Sequence, residues 1–398
     1  MFKKVKTALI GSGSISFVYM NTLVNGGFTI VDMVGCSDII PERSKARAGV
    51  FGIRQMSNEE ILSDPEIEIV LNTTQLWKHN EVTEMILNAG KHVYMEKAMG
   101  HTYEGAKANY ELAKSRGLRL GCAPDCYMGA GLQTARKLID DGIIGIPLYA
   151  QAMCMRGYNT HQRASNEPRN PEWLSSGVTI TYDMAGYYVN ALVSVLGPVN
   201  RVSGYTRFFE DRVFSNPQNP DYKQRVHKQT GATTLLGCLE FETGCYASLV
   251  LCQEGFGPEI PRVEIFGTEG TMKLTDPNNF GGQGDDIYVT RIGNSERFKM
   301  PFTHGFCDKE YVREQISGKP EPCANSWRGV AVVDMAWAIR RNRPHRSSAE
   351  LALHTVEIVD AIDRCTIDNK VRVMESRPER PAQLAPGHIN AEVSIDNI

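Results

Sequence analysis

The sequence predicts an α/β protein in two parts: a parallel, doubly wound sheet, then an α+β region built on a mostly antiparallel open sheet. Three observations carry this. Between Val5 and Cys122, short apolar runs alternate with helical stretches. The first of these runs ends in a glycine turn, Gly11-Ser12-Gly13. From Tyr149 onward the runs are longer and are separated by turn signals such as Glu242-Thr243-Gly244 and Gly267-Thr268-Glu269-Gly270. The expected units are residues 1–125, residues 126–374 and a tail at 375–398.

Val5 to Ile10 reads as the first strand, and a helix is expected from about Phe17 to Asn25. Strand, glycine turn and helix in that order suit a dinucleotide. Gly11 and Gly13 allow the backbone to approach a pyrophosphate, Ser14 and Ile15 continue the turn as further cofactor candidates, and the amides of the helix that follows face the phosphates. Ser16 stands where a third glycine is usual. Ile30 to Cys36 reads as a second strand ending at Ser37-Asp38. Asp38 there suits the adenosine ribose hydroxyls, or equally a helix cap before Pro41. Ile39 and Ile40 follow it and no arginine does, which favours NAD over NADP.

Glu68 to Thr74 is a third strand-like run. His79 begins a helix that ends near Gly90, a good terminator. Lys91 to Met95 reads as a buried strand delivering Glu96-Lys97 at the carboxyl edge of the sheet, where such sheets bind ligands. A helix to Arg116 and a strand ending at Cys122 complete this half. Beyond it, residues 130–142 read as a linking helix. Strands are expected at 148–155, 233–241, 246–252 and 262–266, with helices at 331–339 and 349–364. Pro168 to Gly177 and Asn216 to Arg225 read as polar loops, and the Pro-rich chain after Met374 as a tail that wraps a neighbour or is loose.

Composition narrows the function classes. The 398 residues are 42% hydrophobic and 22% charged, with a net charge of -3. That balance offers no footprint for nucleic acid or an anionic membrane. No run reaches the roughly 18 apolar residues of a spanning helix. The apolar stretch before Gly11 is too short for a secretion signal, so a cytoplasmic protein is expected. None of the ten cysteines forms a CxxC pair, and no cluster has metal-ligand spacing, so no metal is expected.

Taken together the pieces resemble the Gfo/Idh/MocA oxidoreductases, the glucose-fructose oxidoreductase and inositol dehydrogenase family. The resemblance rests on Ala8 to Gly13, Ser37-Asp38, Leu71 to Thr74 with His79, and Ala89 to Lys97. It continues through Leu138 to Gly145, Tyr182-Asp183-Met184, Ile265 to Thr271, and Met335 onward with Arg343 to Arg346 and His354. It implies a Rossmann domain, a second domain whose open sheet builds a homo-oligomer, and hydride exchange between NAD and a sugar or polyol carbon. It also implies that Thr73, Thr74, His79, Glu96 and Lys97 lie at the cofactor. Lys97 matches the lysine of the family's Glu-Lys-Pro motif, and Asp183 the acid of its Asp-x-x-x-His motif. Two departures stand out: Ala98 replaces the proline and Tyr187 replaces the histidine.

Oxidation of a secondary alcohol needs a hydride acceptor, a base for the hydroxyl proton and a donor for charge on oxygen. Lys97 suits the donor's part as an ammonium, or the base's part if burial lowers its pKa. Asp183 and Tyr187, four residues apart, share a face if they lie on a helix. A free tyrosine titrates near ~10, and an adjacent ammonium lowers that value. A Lys97–Tyr187 pair is thus one candidate for the missing histidine. An aromatic wall is the other reading of Tyr187, with Tyr188 beside it. Asp125, Arg156, His161 and Trp173 are candidates for sugar contacts, with Arg163, His227 and His304 weaker ones. The expected activity is NAD-dependent oxidation of a sugar, glycoside or cyclic polyol, including a glycoside's C3 hydroxyl. The alternatives are a redox-neutral enzyme that recycles bound NAD and a non-catalytic sugar or NAD sensor.

Overall fold

The computed structural model describes residues 2–100, 102–156, 179–208, 231–253, 255, 262–282, 284–314, 320–387 and 392–396, with the backbone alone for 309–314 and 320–325. The first region runs β1 (Val5–Ile10), α1 (Ser14–Asn25), β2 (Val31–Ser37), α2 (Pro41–Phe51), β3 (Arg54–Gln55), α3 (Asn58–Ser63), β4 (Ile67–Asn72), α4 (His79–Asn88), β5 (His92–Met95), α5 (Tyr103–Ser115) and β6 (Leu120–Cys122). Its six strands lie in the order β3-β2-β1-β4-β5-β6 and pair in parallel. The sheet is buried on both faces, which is why β1 and β4 read as continuous apolar runs. Strand order reverses between β1 and β4, and that switch point is where a crevice opens at the carboxyl edge. Capping is local and legible: Ser57 and Glu60 form a capping box at α3, and Thr102 caps α5.

The second region runs α6 (Ala130–Asp140), β7 (Pro147–Met155), α7 (Ile180–Leu196), β8 (Val199–Arg207), β9 (Thr234–Phe241), β10 (Tyr246–Cys252), β11 (Val263–Gly267), β12 (Gly270–Lys273), β13 (Ile287–Arg291), β14 (Phe298–Met300), β15 (Lys309–Glu314), β16 (Pro320–Asn325), α8 (Val330–Arg341), α9 (Ala349–Asp368), β17 (Arg372–Val373) and α10 (Glu392–Asp396). Nine strands form one sheet, β14-β13-β12-β11-β7-β10-β9-β8-β17. All its pairings are antiparallel except β7 with β10. Alternation is strict along β9 and β10: Leu235, Leu239, Ala247, Leu249 and Leu251 are buried, while Leu236 and Tyr246 on the opposite face are exposed. The four strands expected from the sequence are β7, β9, β10 and β11. The remaining strands are short or polar, so their hydrophobic signal is weak.

Two features bear on the expected units and on the tail expected to wrap a neighbour or be loose. Helix α9 packs on α5 and β6 as well as on α7 and β8, so the second region reaches back across the first. The tail folds onto its own chain, burying Leu384 and Ile395. Glu392 accepts hydrogen bonds from Thr29 N (2.8 Å), Ile30 N (2.9 Å) and Trp337 Nε1 (3.0 Å). Beside it, the fully buried carboxylate of Asp334 pairs with Arg343 at 2.9 Å and Arg346 at 2.5 Å, and both guanidiniums also bond Ile395 O. The tail is held by the buried Arg343 and Arg346, between α8 and α9, and by Trp337 of α8, which composition alone does not reveal.

Candidate active site

The groove begins at the first turn. Gly11 has φ +101°, and a Cβ there would lie 2.7 Å from Thr74 N, so the turn requires glycine. A Cβ on Gly13 would meet nothing within 4 Å, so open space lies over the turn. Helix α1 starts there with no side-chain cap, leaving its first amides, at Ser14 and Ile15, for an anion. Thr73 locks the turn from behind, its Oγ1 donating to Gly11 O at 2.8 Å. Arg47 of α2 donates to Gly13 O at 3.0 Å and stacks over Phe17. Asp38, just past β2, accepts from Ile40 N at 2.8 Å and lines a cavity of about 470 Å³ with Ser57, Asn58, Glu59 and Glu60. The residues therefore fit a dinucleotide: amides for the pyrophosphate, a carboxylate for the ribose hydroxyls, and an acidic surround unfavourable to a further phosphate.

Strand β5 pairs with β4 on one side and β6 on the other, so its end emerges beside the switch point. Glu96 turns inward. Its Oε1 accepts from the Tyr19 hydroxyl of α1 at 2.7 Å, and its Oε2 from Lys97 N at 3.1 Å. Lys97 points the other way, across the cleft, and its ammonium bonds Asp183 Oδ1. Burial favours the neutral amine, but Asp183, Tyr187 and Glu96 outweigh it and hold the Lys97 pKa above the ordinary lysine value. Lys97 is thus favoured as a cation, the state that donates a hydrogen bond.

Helix α7 supplies the opposite wall. Its apolar length packs on the sheet, while Asp183, Tyr187 and Asn190 follow one another at helical spacing toward the first domain. Asn190 donates to Pro124 O at 3.3 Å, and Gly186 lets the helix come close, since a Cβ there would sit 3.0 Å from Pro124 Cδ. Asp183 Oδ2 accepts from Arg156 Nη2 at 2.8 Å, so its two oxygens hold two different cations. Arg156, at the end of β7, remains charged: burial lowers its pKa, and Asp183, Cys154, Tyr187 and Tyr188 together outweigh it. The Tyr187 ring has Lys97 Nζ at 5.7 Å and the Arg328 guanidinium carbon at 6.0 Å from its centroid. Tyr188 faces the opposite way, buried toward Cys154 in β7, so of the two tyrosines only Tyr187 meets Lys97.

The expected lowering of the Tyr187 pKa needs correction. Burial raises it first; Arg328 and Lys97 pull it back down, and the net value stays above that of a free tyrosine. Asp125 is corrected outright as a substrate contact. It is fully buried, and its Oδ2 accepts from Gly329 N (2.8 Å) and Ala331 N (3.1 Å), capping α8. Burial pushes its pKa up to about 6, with those amides opposing. His79 is buried as well, its ring nitrogens 3.0 Å from Ala98 O and 3.1 Å from Thr74 O, so it ties two loop ends together behind the groove. Glu96 likewise braces the lysine's backbone rather than facing the groove. Thr74 packs its backbone on Gly11 and bonds Asn72 Oδ1. His304 bonds Leu384 O and His354 accepts from Val199 N, both as buried structural groups. His161, Arg163, Trp173 and His227 lie outside the described residues, as do the polar loops at 168–177 and 216–225.

Arg328 was missed by the sequence reading. It follows Ser326-Trp327 with no local signature, and its hydrogen-bond partners are Ser326, two residues back, and the distant Asn278. Nη1 donates to Ser326 Oγ at 2.7 Å; Nη2 donates to Asn278 O at 3.0 Å and Asn278 Oδ1 at 2.8 Å.

The profile of an oxidoreductase family with an NAD-binding Rossmann fold matches residues 5–123, and that of the GFO/IDH/MocA C-terminal domain matches residues 132–273. The chain belongs to the Gfo/Idh/MocA oxidoreductase family. Its first domain is accordingly an NAD-binding Rossmann domain. Among relatives in the Gfo/Idh/MocA family, an uncharacterised oxidoreductase of Schizosaccharomyces pombe is 29% identical over 196 residues, 48% of this chain and 52% of that one. The chain thus spans about half the length of that relative. The scyllo-inositol 2-dehydrogenase (NAD(+)) of Bacillus subtilis is 25% identical over 280 residues, 68% of this chain and 74% of that enzyme. In fold, the chain is similar to a levoglucosan dehydrogenase in complex with NADH, with a TM-score of 0.75 at 19% identity over 94% of this chain and all (100%) of that one. An Agrobacterium radiobacter oxidoreductase in complex with NAD+, L-tartaric acid and magnesium aligns with a TM-score of 0.72 at 16% identity, over 93% and 98% of the two chains.

Proposed function

We propose that this protein oxidises a secondary alcohol of a sugar, glycoside or cyclic polyol, with NAD as hydride acceptor. The observation that carries the reading is the meeting of Lys97, from the end of β5, with Asp183 and Tyr187 of α7 at the edge of the open groove. Oxidation breaks the carbinol C–H and O–H bonds and forms a carbonyl. When bound, the nicotinamide takes the hydride with its electron pair. The chain's residues must handle the rest. Tyr187, as phenolate, takes the hydroxyl proton. Lys97, kept cationic by Asp183, donates a hydrogen bond to the substrate oxygen and favours the charge that grows there. Asp183 holds Lys97 and Arg156 in place, and Arg156 is set to contact a neighbouring hydroxyl.

The relatives named as inositol and sugar dehydrogenases support a polyhydroxylated substrate. A glycoside oxidised at C3 is the finer member of this class. Its 3-keto product carries an acidic hydrogen at C2, which eases later loss of the aglycone. The test is to purify the protein, record whether NAD stays bound, and screen inositols, free sugars and glycosides for stoichiometric NADH. Product without accumulating NADH would instead favour the redox-neutral cycle, and absence of turnover the sensor. Tyr187→Phe should lower the oxidation rate at saturating substrate at least a hundredfold while leaving NAD affinity unchanged; an unchanged rate would remove Tyr187 from the reaction.

Two accompanying readings belong to the same proposal. The open face of the nine-stranded sheet exposes Tyr149, Leu236 and Tyr246, which supports subunit pairing through that sheet, checked by sedimentation. The nine described cysteines are free, which supports a reducing, cytoplasmic setting.

A further inference from the structure

Tyr187 has neighbours on several elements. Lys97 and Glu96 act on it from the end of β5, Arg156 from the end of β7, Cys126 from the turn before α6, and Arg328 from the segment before α8. Asp183 lies one turn away on its own helix. Arg328 differs from Lys97 in one respect. Lys97 is bonded to Asp183, whereas no carboxylate bonds Arg328 among the described residues; neutral oxygens of Ser326 and Asn278 fix it. Held by these three bonds, the guanidinium lies against Tyr187, its carbon 6.0 Å from the ring centroid. An arginine has only donors. Any hydrogen bond between the two therefore has the phenol oxygen as acceptor, with the phenol's own proton directed elsewhere. Lys97 Nζ lies 5.7 Å from the same ring centroid.

We propose that Arg328 is the positioning residue of the proton-transfer step: it turns the Tyr187 O–H toward the substrate and stabilises the oxygen once that proton has gone. The inference rests on the reading of Tyr187 as the proton carrier. It goes beyond it in assigning a residue from a separate part of the chain that neither motif of the family contains. In the oxidation direction the substrate proton goes to the phenolate oxygen that Arg328 steadies. In the reverse direction the same O–H returns it to the carbonyl oxygen as hydride arrives at carbon. Burial raises the Tyr187 pKa and the two flanking cations draw it part of the way back, the net staying above that of a free tyrosine. The oxidation rate should accordingly rise with pH as the phenol titrates.

The test uses full-length protein labelled with 13C at tyrosine Cζ, the Tyr187 resonance being assigned by its absence in Tyr187→Phe. In Arg328→Gln the Tyr187 phenol should titrate at least one pH unit higher than in wild type. The oxidation kcat should fall at least tenfold, with KM changed less than threefold, and Arg328→Lys should recover part of both. Adding Arg328→Gln to Tyr187→Phe should cost less than a further twofold, because the arginine acts through the phenol. An unmoved Tyr187 titration, or a loss expressed only in KM, would overturn the proposal. If Arg328→Gln does not fold, Asn278→Ala loosens the guanidinium and should move the same resonance in the same direction; no movement there overturns the proposal equally. Should Tyr187→Phe itself leave oxidation unchanged, the proton-carrier reading fails, and the titration still reports separately whether Arg328 governs the phenol.

Discussion

Asp183→Asn keeps the side chain's shape and removes the one charge that holds Lys97 and Arg156 together. A unit pair at the 2.8 Å seen for Arg156 attracts by roughly 6 kcal/mol at an effective dielectric of about 20. Desolvation cancels most of this. The side chains of Lys97, Arg156 and Asp183 are 19%, 30% and 14% exposed, so the loss must fall below the ~3–5 kcal/mol of a fully buried broken pair. We expect about 2 kcal/mol, read from urea denaturation at pH 7. The pH dependence has a definite sign. With its pKa raised in the fold, Lys97 contributes stability at pH values below the ordinary lysine value of ~10.4, and loses it as pH climbs through the raised one. Without Asp183 the largest influence left is burial, so Lys97 releases its proton at lower pH and the alkaline limb of activity moves toward neutrality. Loss of its anchor should lower kcat by about 10²-fold. A variant within ~0.5 kcal/mol of wild type, the spread of neutral surface changes, and within threefold in rate would refute the view that this ion pair sets the site.

Two further outcomes follow from local geometry. Gly11→Ala places a Cβ 2.7 Å from Thr74 N at φ +101°, so NAD affinity, measured by calorimetry, should fall at least tenfold; unchanged affinity would remove the turn from the cofactor site. Asp334→Asn should destabilise by about 3–5 kcal/mol, because two arginines lose their buried counter-ion. Burial raises the Asp334 pKa, but Arg346 and Arg343 outweigh it and hold it below the usual carboxylate value. The wild-type advantage should therefore be full above about pH 4 and shrink as pH falls through the lowered value, which urea curves at pH 7 and pH 3.5 would show.

Much of the first domain was legible because its signals are local. Gly11 and Gly13 sit between an apolar run and a helix, and β1, β4 and β5 are apolar on both faces. The short edge strand β3 was missed, since Arg54–Gln55 is exposed and polar. In the second domain β9 and β10 announced themselves by alternation, whereas β8, with Arg201, Ser203 and Gly204, did not. Site residues divided along the same line. Lys97, Asp183 and Tyr187 carry motif positions, but Arg328 has no pattern around it. Asp125 looked available from its place at a domain edge, yet two amides of a helix over 200 residues away claim it.

The sequence by itself determined a parallel dinucleotide-binding half, an antiparallel half, and the residues that arrive at the carboxyl edge of β5. Periodicity and backbone geometry act over a few residues, so they can be read there. Only the tertiary structure decided what those residues become. It favoured the cationic form of Lys97 by setting Asp183 against it, turned Glu96 and His79 inward, separated Tyr187 from Tyr188, and brought Arg328 to the phenol. Charge state and hydrogen-bond direction depend on burial and on partners from distant parts of the chain, and those are settled only when the two domains close on each other.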